Sequence, residues 1–163
     1  MKILKIAFSI LFIVLFTNVY AQNKYPNGQV KEKGDSVDGK KNGEWITYYE
    51  NGKVHEKGNY TNGKITGEWI SYQTNGQVSF KMSYLDGKAN GESIDYYENG
   101  NVEVKGNMVD GKESGEWIYY YENGQIEATE IFVNGKKSGE SIEYDFNGKV
   151  TKRTMYKDGV QVK

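Results

Sequence analysis

Twelve of the fourteen Asn-Gly or Asp-Gly pairs in this chain punctuate it at two fixed places of a repeat, at Asn27, Asp38, Asn51, Asn62, Asn75, Asp86, Asn99, Asp110, Asn123, Asn134, Asn147 and Asp158. Their spacing alternates 11, 13, 11, 13 without a slip. Such pairs favour two-residue type I′ hairpin turns, because both central residues must take positive φ and few others tolerate it. A chain that reverses at every such point has room only for short antiparallel strands. All twelve pairs are therefore expected as reversals, with alternate turns on opposite rims of one sheet.

The intervening residues repeat in register. Gly43, Gly67, Gly91, Gly115 and Gly139 stand 24 apart, and each precedes a glutamate. Ile46, Ile70, Ile94, Ile118 and Ile142 follow, then Tyr48, Tyr72, Tyr96, Tyr120 and Tyr144. Five units cover 43–162, and residues 25–42 match the back half of a sixth. Glycine inside every unit, among β-branched and aromatic residues, argues against helix. Periods of this length mark architectures in which each unit buries its faces against its neighbours.

Taken literally, the turns fix cross-strand partners. Around Asn51-Gly52 the expected pairs are Glu50–Lys53, Tyr49–Val54 and Trp45–Gly58, the indole covering the bare glycine. Around Asn62-Gly63, Lys57 is expected opposite Glu68, and the repeat adds Lys33–Glu44, Lys81–Glu92 and Lys105–Glu116. Trp45, Thr47 and Tyr49 point one way, Ile46 and Tyr48 the other, so both faces mix apolar and polar groups. A sandwich would show one clean apolar face, and a transmembrane barrel an unbroken lipid-facing band. The expected fold is all-β, an elongated single-layer antiparallel meander of 24-residue β-hairpin repeats. Twelve strands would extend it about 58 Å.

Residues Met1–Ala21 read differently. Lys2 and Lys5 precede the apolar run Ile6–Phe16, and Ala21 stands before Gln22, the pattern of a secretory signal peptide. A run of 11 residues falls short of the roughly 20 that span a bilayer. The expectation is an exported chain, periplasmic, cell-surface or secreted. Its mature part, 22–163, would be the repeat domain, with no transmembrane span after cleavage. The chain has no cysteine, which excludes a lipid-anchored lipoprotein, disulfides and thiolate metal sites. The mature part carries 19 Lys and Arg against 22 Asp and Glu, a net charge of −3. That balance does not suggest nucleic acid or an anionic membrane as partner.

No residue pattern points to catalysis, a metal or a cofactor. His55 is the only histidine, and the matching positions hold Ser79, Glu103, Glu127 and Thr151. The ladder Glu44, Glu68, Glu92, Glu116 and Glu140 reads as a salt-bridged surface row. No phosphate loop, dinucleotide fingerprint, calcium loop or nucleophile motif occurs, so the chain is expected not to be an enzyme. The aromatic face offers the one candidate site. Trp45, Trp69 and Trp117 recur there with Tyr49, Tyr97 and Tyr121. Packing across bare glycines is one reading, and a platform on which sugar rings stack is the other. The expected partner is a protein, with a glycan or cell-envelope component as the alternative.

The unit "GEWIYYYENGQIEATEIFVNGKKSG", residues 115–139, resembles the variant MORN repeat, with its G-x-W-x-x-Y-Y-x-N-G-K and later N-G-K-x-x-G. The resemblance runs over 25–162, and bacterial chains of this kind are grouped as YwqK-type toxin–antitoxin antitoxins. It implies a β-hairpin repeat sheet used for binding or scaffolding, with no catalytic residues, and names a toxin as the partner class. Three departures stand out. Ser93 and Ser141 replace tryptophan, and the last unit reads "YDFNGK" in place of "YYENGK".

Overall fold

The structure, a computed structural model, describes residues 23–162. The leader expected at Met1–Ala21 lies outside them. The first strands are β1 (Glu32–Val37), β2 (Lys40–Tyr48), β3 (Val54–Thr61), β4 (Lys64–Tyr72) and β5 (Val78–Leu85). Next come β6 (Lys88–Tyr96), β7 (Val102–Val109), β8 (Lys112–Tyr120) and β9 (Ile126–Val133). The last are β10 (Lys136–Lys137), β11 (Gly139–Tyr144), β12 (Val150–Lys157) and β13 (Val160–Val162). All thirteen form one open antiparallel sheet in chain order, with β10 and β11 both pairing β9. The short β10 and β11 together fill the place one strand takes elsewhere, interrupted at Ser138.

The twelve dipeptides divide into two turn types, where one was expected. Asp38, Asn62, Asp86, Asp110, Asn134 and Asp158 have φ of 50–53°, each followed by a positive-φ glycine. Those six are the expected two-residue turns. At the other six only the glycine has positive φ, as at Gly52 (83°) and Gly100 (87°). There Gly52 N–H donates to the Tyr49 carbonyl at 2.9 Å and Tyr49 N–H to the Lys53 carbonyl at 2.8 Å. That is a three-residue loop, a type I turn closed by a left-handed glycine. The side chain of Asn51 holds it by accepting from Lys53 N–H at 3.0 Å, and Asn99 does the same for Asn101 at 2.8 Å. The longer interval of 13 precedes this loop and holds the strand in which Gly67, Glu68 and Trp69, or their equivalents, stand against a single residue of the preceding strand.

Two bulges per unit correct the expected register. Trp45–Gly58 forms as expected, with Ile46 opposite Lys57 and Thr47 opposite Glu56. His55 is then the extra residue, so Tyr48 faces Val54 and the expected Tyr49–Val54 and Glu50–Lys53 pairs do not form. On the other side of β3, Lys57 lies opposite Ile70 and Asn59 opposite Thr66, leaving Gly67, Glu68 and Trp69 against Gly58 alone. The equivalents follow: Lys33 faces Ile46, Lys81 faces Ile94 and Lys105 faces Ile118, so none of the expected lysine–glutamate pairs is directly cross-strand. The cause is the glycine that opens each unit. Gly67 takes φ +72° and Gly115 +75°, a left-handed conformation that inserts residues into one strand of the pair.

The core is a single row on one face. Trp45, Trp69, Met82, Trp117 and Phe132 are its buried apolar side chains, joined by buried Ser93, Ser141 and Thr154. Among the described residues no side chain is sealed completely. Burial here comes from neighbours within one layer, as the mixed faces of the sequence require.

Candidate functional site

The tryptophan row is bound up in packing. Trp45 is 3% exposed, Trp69 8% and Trp117 6%. Each ring lies over a glycine of the preceding strand: Trp45 over Gly34, Trp69 over Gly58 and Trp117 over Gly106. The glycine under the Trp45 ring is thus not its expected partner Gly58, which Trp69 covers instead. A Cβ at any of the three glycines would approach ring carbons closer than 3.0 Å. Tyr60 stands edge-on between Trp45 (centroids 6.1 Å, 76°) and Trp69 (5.6 Å, 87°). Lys41 Nζ sits 4.1 Å from the Trp45 ring centroid, and the Trp45 indole N–H donates to Glu32 at 3.3 Å. The indole faces are occupied by protein.

The departures at Ser93 and Ser141 follow the same packing. Where serine replaces tryptophan, the position 11 residues earlier is no longer glycine: Met82 lies opposite Ser93, and Glu130 precedes Ser141. Large and small residues have changed places, which offsets part of the lost ring volume.

The tyrosines of the candidate platform join successive units. Tyr49 O–H donates to the Tyr72 carbonyl at 2.6 Å, Tyr97 to Tyr120 at 2.6 Å and Tyr121 to Tyr144 at 2.7 Å. Tyr25 does so to Tyr48 at 2.9 Å, and Gln73 replaces the hydroxyl with an amide N–H to Tyr97 at 3.2 Å. Burial raises the Tyr97 and Tyr121 hydroxyls above their ordinary value, with nearby glutamates adding to it.

His55, the bulge residue, packs its ring 4.4 Å from that of Tyr49. On the opposite face the glutamate ladder interleaves with lysines. The Tyr72 hydroxyl, and after it Glu44 and Glu68, hold Lys57 above 10.5; Tyr120, then Glu92 and Glu116, do the same for Lys105. Among the described residues no cluster of three or more His, Cys, Asp or Glu has the arrangement to hold a metal ion.

Two features were not anticipated from the sequence. Along the rim of two-residue turns, Val37 (54% exposed), Leu85 (59%), Val109 (51%) and Val133 (52%) recur at the same place in their units. Each faces a lysine, Lys40, Lys88, Lys112 or Lys136. The second is a pair of hollows on the tryptophan face at the two units that lack the ring. One, about 450 Å³, is lined by Met82, Ser93, Asp95 and Glu113 among others. The other, about 520 Å³, lies between β8, β9 and β11 near Ser141. The signal for the second was present in "YDFNGK", whose aspartate and phenylalanine both line it.

Hairpin units stacked edge to edge in one open layer, joined by tyrosine hydroxyls and glycine-seated indoles, define a β-hairpin repeat protein. The chain belongs to the MORN repeat variant family, whose units match residues 41–62, 65–86, 89–110, 113–134 and 137–158. No curated protein is similar enough to the chain to count as a match.

Proposed function

We propose that this chain is an exported, non-enzymatic repeat protein that binds a partner protein, as a scaffold or as an immunity-like neutraliser of a toxin. The observation that carries the reading is the rim row of Val37, Leu85, Val109 and Val133, each more than half exposed. Leu85, Val109 and Val133 recur on alternate strands, about 9.6 Å apart, with Val37 set off from them by Thr61, and form a linear apolar strip with lysines beside it, the character of a protein-binding edge. Export rests on the leader-like residues 1–21, and neutralisation on the resemblance to antitoxin chains. The glycan reading draws less support, because the three indoles that would stack on sugars are buried.

The test uses the chain 22–163, tagged and incubated with envelope extract, with captured proteins identified by mass spectrometry. Leu85→Asp with Val109→Asp is expected to abolish capture while melting like wild type. Unchanged capture by that variant, or glycan-array binding that disappears in Trp45→Ala with its stability intact, would overturn the reading.

A further inference from the structure

The hollow near Ser141 is built from residues that depart from the repeat. Tyr119 stands where other units have Thr47, Ser71, Asp95 and Glu143. Ala128 is the smallest residue at a position otherwise held by Glu32, Glu56, Phe80, Val104 and Lys152. Glu130 replaces the glycine on which an indole would sit, and Phe146 replaces Glu50, Thr74, Glu98 and Glu122. Glu130 follows from the exchange with Ser141, but that exchange does not account for Tyr119, Ala128 and Phe146, which depart from the repeat and meet in the same place.

Together they make a recess with aromatic walls and an acidic rim. Ala128 lies opposite both Tyr119 on β8 and Glu143 on β11, so the recess is deepest where β9 is shortest in side chain. Tyr121 and Phe146 stack at 4.0 Å and 29°, and Phe146 stays 65% exposed. Glu127, Glu130, Glu143 and Asp145 also line the recess. Lys137 pairs with Glu130 and Lys152 with Glu143, whereas Glu127 has no ion-pair partner among the described residues. Asp145 accepts from the backbone N–H groups of Asn147 and Lys149, which commits it to the turn. Burial, with Glu130 and Glu113, pushes the Tyr119 hydroxyl up to about 12, so it stays a neutral donor. Four carboxylates against two lysines leave the recess net negative.

We infer that this recess receives an arginine side chain of a partner protein, its guanidinium lying against the Tyr121–Phe146 stack and paired with Glu127. A planar cation fits both halves of the site: it stacks on aromatic faces and presents a fork to a carboxylate. The inference takes the partner's class from the protein-binding reading, but stands on a surface separate from the aliphatic rim.

The probe is a fluorescent acetyl-Gly-Arg-Gly-Arg-Gly-amide, titrated with chain 22–163 by anisotropy, against a twin carrying citrulline for arginine. Saturable binding of the arginine peptide is expected, about tenfold tighter than the citrulline twin. Ala128→Val, Phe146→Thr and Glu127→Ser each borrow the residue of a sister unit, which favours folding. Each should weaken binding by about tenfold, while Leu85→Asp with Val109→Asp leaves it unchanged. Equal affinity for the two peptides, or wild-type affinity in all three variants, overturns the inference. Loss of partner capture in the rim variant with peptide binding intact would separate the two surfaces.

Discussion

The indole of Trp69 lies on Gly58, and a Cβ at 58 would come closer than 3.0 Å to its ring. Gly58→Ala therefore forces the ring off its seat and should destabilise the chain by about 1–3 kcal/mol. Trp69→Ser, which leaves the seat empty, should cost about 3 kcal/mol or more. Unit three already carries the exchanged pair, Met82 with Ser93. Gly58→Met with Trp69→Ser should thus cost much less than the two changes summed. A denaturant double-mutant cycle measures this, and strict additivity would show that the two positions do not share one volume.

The tyrosine hydroxyls predict how units are coupled. Tyr97→Phe removes one donor to the Tyr120 carbonyl, made at 2.6 Å, and should cost about 1 kcal/mol. Since units in a linear array feel mainly their neighbours, amide exchange should quicken around 97–101 and 119–121 and stay unchanged at 40–60. Uniform quickening along the chain would mean that one cooperative core governs the sheet.

The two rims should respond differently to the same change. Asn99 uses both ends of its amide: Oδ1 accepts from Asn101 N–H, and Nδ2 donates to the Glu122 carbonyl at 3.0 Å. Asn99→Asp loses the donor and sets a carboxylate against a carbonyl, so it should cost about 1 kcal/mol. Asn62→Asp should be nearly neutral, because Asp38, Asp86, Asp110 and Asp158 fill the same turn position elsewhere. Melting temperatures of the two variants decide the matter, and equal losses would refute the distinction between the rims.

Asp95 carries a pH signature. Burial, with Glu103 adding to it, raises its carboxyl above the ordinary 3.8. A raised acid binds its proton more readily in the folded chain. Its protonated form therefore supports stability below the ordinary value, and that support is lost as pH rises through the folded-state value. At pH 7 the buried carboxylate is a cost. Asp95→Asn should raise the melting temperature at pH 7 and lose most of that advantage near pH 3. A gain that is equal at both pH values would remove ionisation as the cause.

The sequence by itself determined the sheet. Twelve Asn-Gly and Asp-Gly pairs at alternating intervals fix the reversals, and mixed faces forbid a second layer, so chain order and strand order coincide. Local chemistry sufficed because the sheet pairs strands that follow one another along the chain. What the tertiary structure decided was finer. Two identical dipeptides adopt different turns because Asn51 closes a loop with its own side chain while Asn62 takes positive φ itself. The left-handed Gly67 shifts Lys57 from Glu68 to Ile70, a bulge that the turns alone did not reveal. The tryptophans could be read as platform or packing until the rings were seen on Gly34, Gly58 and Gly106. The recess at Tyr121 and Phe146 needed the tertiary structure because it joins departures on β8, on β9 and in the loop after β11, of which only "YDFNGK" stood out in the sequence.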